Sequence, residues 1–334
     1  MVTKNIDIFN ISLVVISLII AIKIPFELFL FSYAILGPLH YLTEITWLHK
    51  KNYFFSANKK WSIIFILLTI LISIYPVINF FDFRMSQSIE NLIKFVGKQD
   101  SVFLLTGILF AISLIFFKKI QSLILAFLFS VLISFILIIY LPNLFLFIGV
   151  FLPTLIHVYI FTLLFILYGA LKSKSRYGIY LSIILLAVPF IIFYIPIDTI
   201  NYQPSAKTQD AFISNNLSVV SAFITSMLNK LQNGKFYLLS EIGIRIQIFI
   251  AFAYTYHYLN WFSKTSIIGW KKSISKESAF VILLIWIVSI GLYLYDYKTG
   301  LIALFFLGFL HILLEFPLNI MTIKEILLLT KYKK

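Results

Sequence analysis

Cysteine is absent from the 334 residues. That excludes disulfides and thiolate metal sites, so any bound metal must be held by imidazole, carboxylate, other oxygen donors or water. Charge is scarce as well. Only 12% of residues are charged, against about 25% in a soluble globular domain, and no stretch is polar enough for a separate soluble domain. The strict alternation of lipid-facing and lumen-facing residues that marks a transmembrane β-barrel is missing. What fills the chain is apolar: 61% of residues are hydrophobic and the mean hydropathy is +1.01. The sequence reads as an all-α polytopic integral membrane protein, one transmembrane domain over 1–334.

A membrane-crossing helix takes about 20 apolar residues. Ten segments qualify: 8–24, 26–47, 61–81, 101–117, 120–141, 144–171, 177–197, 238–262, 279–295 and 301–323. The first follows Lys4 and Asp7 without a small-residue cleavage site and is expected to be a retained helix. With both termini cytoplasmic, eighteen of the 27 basic residues fall in cytoplasmic segments and eight in outer ones. Lys118, Lys119, Lys172, Lys174 and Arg176 are among the cytoplasmic set. That asymmetry is the positive-inside pattern. It also accounts for the net charge of +14: the cytoplasmic lysines are expected to meet anionic lipid headgroups. A nucleic-acid partner is not expected, because no soluble basic face is present.

Two outer loops are long. Residues 85–98 carry Ile89, Leu92, Ile93 and Val96 at helical spacing, with Ser86 placed to cap and Gly97 to stop, which predicts a short interfacial helix. Residues 198–237 begin polar and turn amphipathic from Leu217 to Leu231. The isoleucine, lysine and asparagine bias, with no cysteine, suggests a bacterial inner membrane.

The residues that call for chemistry are inside the spans. Gly37-Pro38-Leu39-His40-Tyr41-Leu42-Thr43-Glu44 puts a histidine and a carboxylate on one helix face, and His311 and Glu315 repeat the spacing. His157 and His257 lie within two further spans, although the aromatic company of His257 also fits an interfacial belt. At about 1.5 Å per residue, His40 and His157 each lie roughly 20 Å from the outer ends of their helices. Ionisable groups at such depth cost about 2.5–3.5 kcal/mol each when charged and face lipid, so they turn inward and find one another. Imidazole and carboxylate without thiolate suit non-haem iron, with manganese or zinc as alternatives. His40, Glu44, His157, His257, His311 and Glu315 are the candidate metal ligands, with Tyr41, Tyr256 and Tyr258 as nearby hydrogen-bond donors. Pro38, Pro153 and Pro317 lie within four residues of these groups and predict kinks there. Glu241 and Arg245 read as an ion pair that neutralises itself.

The segment Gly37-Pro38-Leu39-His40 to Glu44 resembles the Gly-x-Pro-His-Gly-x-x-Asp pattern of the Brp/Blh membrane family, and Tyr256-His257-Tyr258-Leu259-Asn260 is similar to its His-Phe-Gly-x-x-Asp segment. The resemblance implies a polytopic β-carotene dioxygenase with membrane-embedded histidines on non-haem iron. On it, His40 and His257 are iron ligands and His157 and His311 candidates for the remainder. The residues themselves support three readings: a metal-dependent membrane oxygenase or hydrolase acting on a lipid or isoprenoid-like substrate; a transporter or channel that moves protons or metal ions through intramembrane His and Glu; and a structural subunit of a membrane complex whose polar residues join helices.

Overall fold

The computed structural model describes residues 2–51, 61–196, 202–264, 269 and 274–331. Lys59, Lys60, Lys271, Lys272, Lys333 and Lys334 of the expected cytoplasmic set, and residues 198–201 of the second outer loop, lie outside the described residues. The described residues are helical throughout, with no strand. In chain order the helices are α1 (Val2–Lys23), α2 (Pro25–His49), α3 (Ser62–Phe81), α4 (Gln87–Gly97), α5 (Asp100–Phe116), α6 (Ile120–Tyr140), α7 (Asn143–Ser173), α8 (Arg176–Tyr194), α9 (Ala206–Ser214), α10 (Val219–Met227), α11 (Glu241–Ser263), α12 (Lys276–Tyr295) and α13 (Tyr297–Lys331).

Eight of these, α1, α2, α3, α6, α7, α8, α12 and α13, are long and apolar enough to cross a membrane. A ninth span results if α4 and α5, bent by 50° at Lys98 and Gln99, count together. Of the ten expected segments, 238–262 corresponds to α11. That helix is long enough at 23 residues, about 35 Å, but is not among those apolar enough. The reason is its position. From Gly243 to Tyr258 nearly every side chain is buried, packed against α1, the first half of α2, α8 and α10. A helix clad in protein needs no lipid-facing stripe and tolerates Gln247, Thr255, His257 and Asn260.

Serine chemistry starts several helices. Ser175, Ser205, Ser240 and Ser275 precede α8, α9, α11 and α12, and each accepts a backbone N–H three residues on, satisfying one of the donors a helix start leaves open. Asp296 does the same for α13, accepting from the Thr299 N–H at 2.8 Å and from its hydroxyl at 2.8 Å. Arg245 closes a helix end: one guanidinium nitrogen donates to the carbonyls of Ile192 and Ile195 at 2.7 and 2.8 Å, where α8 finishes. The remainder of the guanidinium holds Glu241 at 2.7 Å, so the expected pair forms but is only part of what Arg245 does.

The prolines act unequally. Within α2, Ser32–Leu36 is wound as a π-helix immediately before Gly37-Pro38, and the Gly37 N–H reaches the Ser32 carbonyl. A proline ring clashes with the carbonyl four residues back, and the wider winding is one way to relieve that clash. Phe147–Phe161 of α7, with Pro153 inside, is also π-wound. α13 runs as one α-helix through Pro317.

The chain divides into two compact units, residues 1–40, 154–271 and 328–334, and residues 41–153 and 272–327. In the first, α11 is the central helix, and the segment between α8 and α11 is pinned by Phe212. That ring is fully buried, with Phe26 4.9 Å and Phe29 5.6 Å away between centroids. The Tyr202 hydroxyl donates to Glu27 at 2.7 Å. The loop after α10 turns back through Asn233-Gly234, both with positive φ, and Gln232 and Lys235 exchange backbone hydrogen bonds at 3.0 and 2.9 Å; this is the geometry in which Asn-Gly is favoured. In the second unit α5 packs along α6, and α3 packs on both α4 and α5. Gly107 of α5 faces α13: a Cβ there would meet Leu313 at 2.6 Å, so the approach depends on its missing side chain. α4 buries none of its side chains, and Glu90 pairs with Lys94 at 2.6 Å on its surface.

Candidate metal centre

In the first unit three histidines from three helices are buried together. His40 follows the π-wound turn of α2, His157 lies in the π-wound stretch of α7, and His257 is on α11. They are 1%, 1% and 7% exposed, so all three are enclosed by protein. Tyr254, Tyr256 and Tyr258 are buried too, so the aromatic run around His257 is packed against protein. His257 is the hub. Its Nε2 lies 3.0 Å from Nε2 of His40. Its Nδ1 lies 2.7 Å from the Thr162 hydroxyl, and its ring centroid 5.3 Å from that of His157. Tyr258 stands 5.2 Å from the His40 ring and 5.4 Å from the His257 ring. Trp261 meets His40 edge-on at 5.5 Å.

A file of aromatic rings runs to this group from the segment between α8 and α11. Phe29 touches Tyr33 and Tyr254 at 5.6 and 5.2 Å, and Tyr254 touches Tyr258 at 6.1 Å. These side chains are large, flat and mostly apolar, with phenol hydroxyls at intervals.

In the second unit the ring of Tyr41 stacks on His311 at 5.4 Å. Glu44 and Glu315, each one turn beyond their histidines, are both 2% exposed. All six expected ligands are thus buried.

The donor chemistry fits a transition metal. His40, His157 and His257 of the first unit offer buried imidazole nitrogens, and these residues do not single out one metal. A metal at about 2.0–2.1 Å from each imidazole nitrogen accommodates two donors 3.0 Å apart, the separation of the His40 and His257 nitrogens. Imidazole suits iron, zinc, copper and nickel.

Thr162 is the residue the sequence did not bring forward. It lies five residues after His157. At the ordinary helical period that is not a facing position, but the intervening turn is π-wound, where i and i+5 are neighbours. The only signal in the sequence is Pro153, four residues before His157, which perturbs the winding there.

No family model, curated protein or solved structure matches the chain.

Proposed function

We propose that this chain is an integral membrane enzyme whose buried histidines hold a metal, non-haem iron in the first instance, and that it acts on a lipid-soluble substrate. The observation that carries the reading is the approach of two imidazole Nε2 atoms to 3.0 Å in an apolar interior. Two nitrogen lone pairs repel at that distance unless a proton or a cation lies between them. A polytopic chain without thiols that gathers histidines there is suited to the cation. In this reading His40, His157 and His257 of the first unit bind the metal. The resemblance of the His40 and His257 segments to the Brp/Blh family supports iron, with manganese and zinc as the alternatives.

Bound iron would supply the activation of dioxygen. The rest falls to the chain. Apolar walls keep water from the site, and the aromatic file offers flat surface to an isoprenoid-like substrate entering from the bilayer. Tyr258, and Tyr41 beside His311, donate hydrogen bonds to oxygen atoms of the substrate. We assign both termini to the cytoplasm of a bacterial inner membrane, α4 to the outer interface, and the cytoplasmic lysines to anionic headgroups.

One observation favours ion or proton movement instead. α13 carries His311, Glu315 and Asn319 at successive i+4 positions, all buried, and neither polar atom of the Asn319 side chain has a hydrogen-bond partner among the described residues. Such a file is the raw material of a relay. The two readings separate in one experiment. Protein loaded with ferrous iron in nanodiscs is given extracted bacterial lipids and isoprenoids while dioxygen is followed by electrode. The same preparation in liposomes is tested for proton and divalent-cation flux. Dioxygen uptake with a new lipid product supports the enzyme; flux without uptake replaces it with the transporter.

A further inference from the structure

The hydrogen bonds around His257 can be counted proton by proton. The Thr162 hydroxyl lies 2.8 Å from the Val158 carbonyl and 2.7 Å from His257 Nδ1. A hydroxyl has one proton and a carbonyl has none, so the contact with Val158 uses the hydroxyl proton. The contact with His257 must then be made by a proton on Nδ1, donated to the Thr162 oxygen. A neutral imidazole has one N–H. His257 is therefore the Nδ1–H tautomer, and its Nε2 carries a bare lone pair, pointed at His40 Nε2.

From this we infer that Thr162 is a positioning residue of the metal centre: by holding the Nδ1–H of His257 it commits Nε2 to the metal. The inference rests on the metal reading above and adds to it the group that fixes ligand orientation. Ligating histidines commonly donate their second N–H to a carboxylate, carbonyl or water. Here the acceptor is a hydroxyl, itself oriented by a carbonyl one turn back on α7. The chain Val158 carbonyl, Thr162 hydroxyl, His257 imidazole, His40 imidazole runs through buried residues throughout. Because Thr162 follows directly on the π-wound stretch that carries His157, one distorted helix supplies both a candidate ligand and the anchor of another.

Loss of such an outer partner weakens metal binding by about 10–100-fold. The test uses the full-length protein in detergent, as wild type and with Thr162→Val, Thr162→Ser and His257→Ala. Nitrogen-15 histidine labelling of metal-free samples reads the tautomer, His257→Ala assigning its signal. Cobalt(II) titration followed by visible absorption reads affinity. The expected result is Nδ1–H on His257 in wild type and Thr162→Ser, a mixture of tautomers in Thr162→Val, and cobalt binding weakened in Thr162→Val and restored by Thr162→Ser. His257 carrying its proton on Nε2 in wild type, or Thr162→Val binding cobalt as wild type does, overturns the inference. If wild type takes up no cobalt while the tautomer still follows Thr162, the metal reading fails and the positioning of His257 by Thr162 stands.

Discussion

Arg245 and Glu241 show how unequal the partners of one ion pair are. The Arg245 side chain is 13% exposed and also holds the last carbonyls of α8, whereas the Glu241 side chain is 66% exposed. An exposed pair one helical turn apart contributes about 0.3–0.5 kcal/mol, but hydrogen bonds made by a charged group contribute about 1.5–3 kcal/mol. Arg245→Met is expected to destabilise the protein by roughly 2 kcal/mol, and Glu241→Gln by under about 0.5 kcal/mol, measured by denaturant unfolding in detergent micelles. Equal losses would show that the pair itself, and not the cap on α8, is what matters. The pair was legible in the sequence because its members are one turn apart on one helix. The cap was not, because Ile192 and Ile195 are some 50 residues away and carbonyls have no residue-type signature. His40, His157, His257 and His311 were legible for the same kind of reason: a titratable group in an apolar run stands out without any knowledge of the fold. Thr162 did not stand out, since threonine is unremarkable in a membrane helix and its partner is 95 residues distant.

Five helix starts carry a serine or aspartate cap, a local device, whereas Ser86, placed to cap α4, stands at its N-cap position without a side-chain hydrogen bond. Asp296 is the instance with a pH signature. Its bonds to the Thr299 hydroxyl and backbone N–H hold its carboxyl below the usual carboxylate range. A carboxyl lowered on folding stabilises the folded state above its unfolded value, near 3.9. That contribution is lost as pH falls through the folded value. Asp296→Ala is expected to cost about 1 kcal/mol near neutral pH, and Asp296→Asn only a few tenths, since asparagine caps as well. Thermal unfolding from pH 7 down to pH 3 should show the wild type converging on Asp296→Ala at the acid end; parallel curves would remove Asp296 from the cap. Helix winding was less legible. Pro38, Pro153 and Pro317 all predict distortion, yet the first two coincide with π-winding and α13 stays α-helical. A proline states that one backbone hydrogen bond is missing; how the turn adjusts depends on its neighbours.

For the whole chain, composition carried the fold class, and the helical outcome agrees with it. The number of spans is a harder quantity. α11 reads as a span by length, but its polarity reflects enclosure by other helices, and the bent α4–α5 pair sits between one segment and two. Orientation then rests on the lysines. The absence of cysteine makes this directly measurable, since every introduced thiol is the only one. Cysteines replacing Lys119 and Lys174 should react with impermeant maleimide only after the membrane is opened, and those replacing Lys94 and Lys235 should react in intact cells. The reverse pattern would invert the topology, and a mixed one would change the number of crossings.

The central claim is that the buried histidines hold a metal. The most direct measurement is elemental analysis by plasma mass spectrometry of wild type, His40→Ala and His257→Ala, purified without chelator from cells supplied with iron, manganese and zinc. Folding of each variant is checked by circular dichroism and gel filtration. The account predicts near-stoichiometric metal, iron foremost, in wild type and its loss from both folded variants. Wild-type protein free of metal, or metal retained in full by both variants, contradicts it.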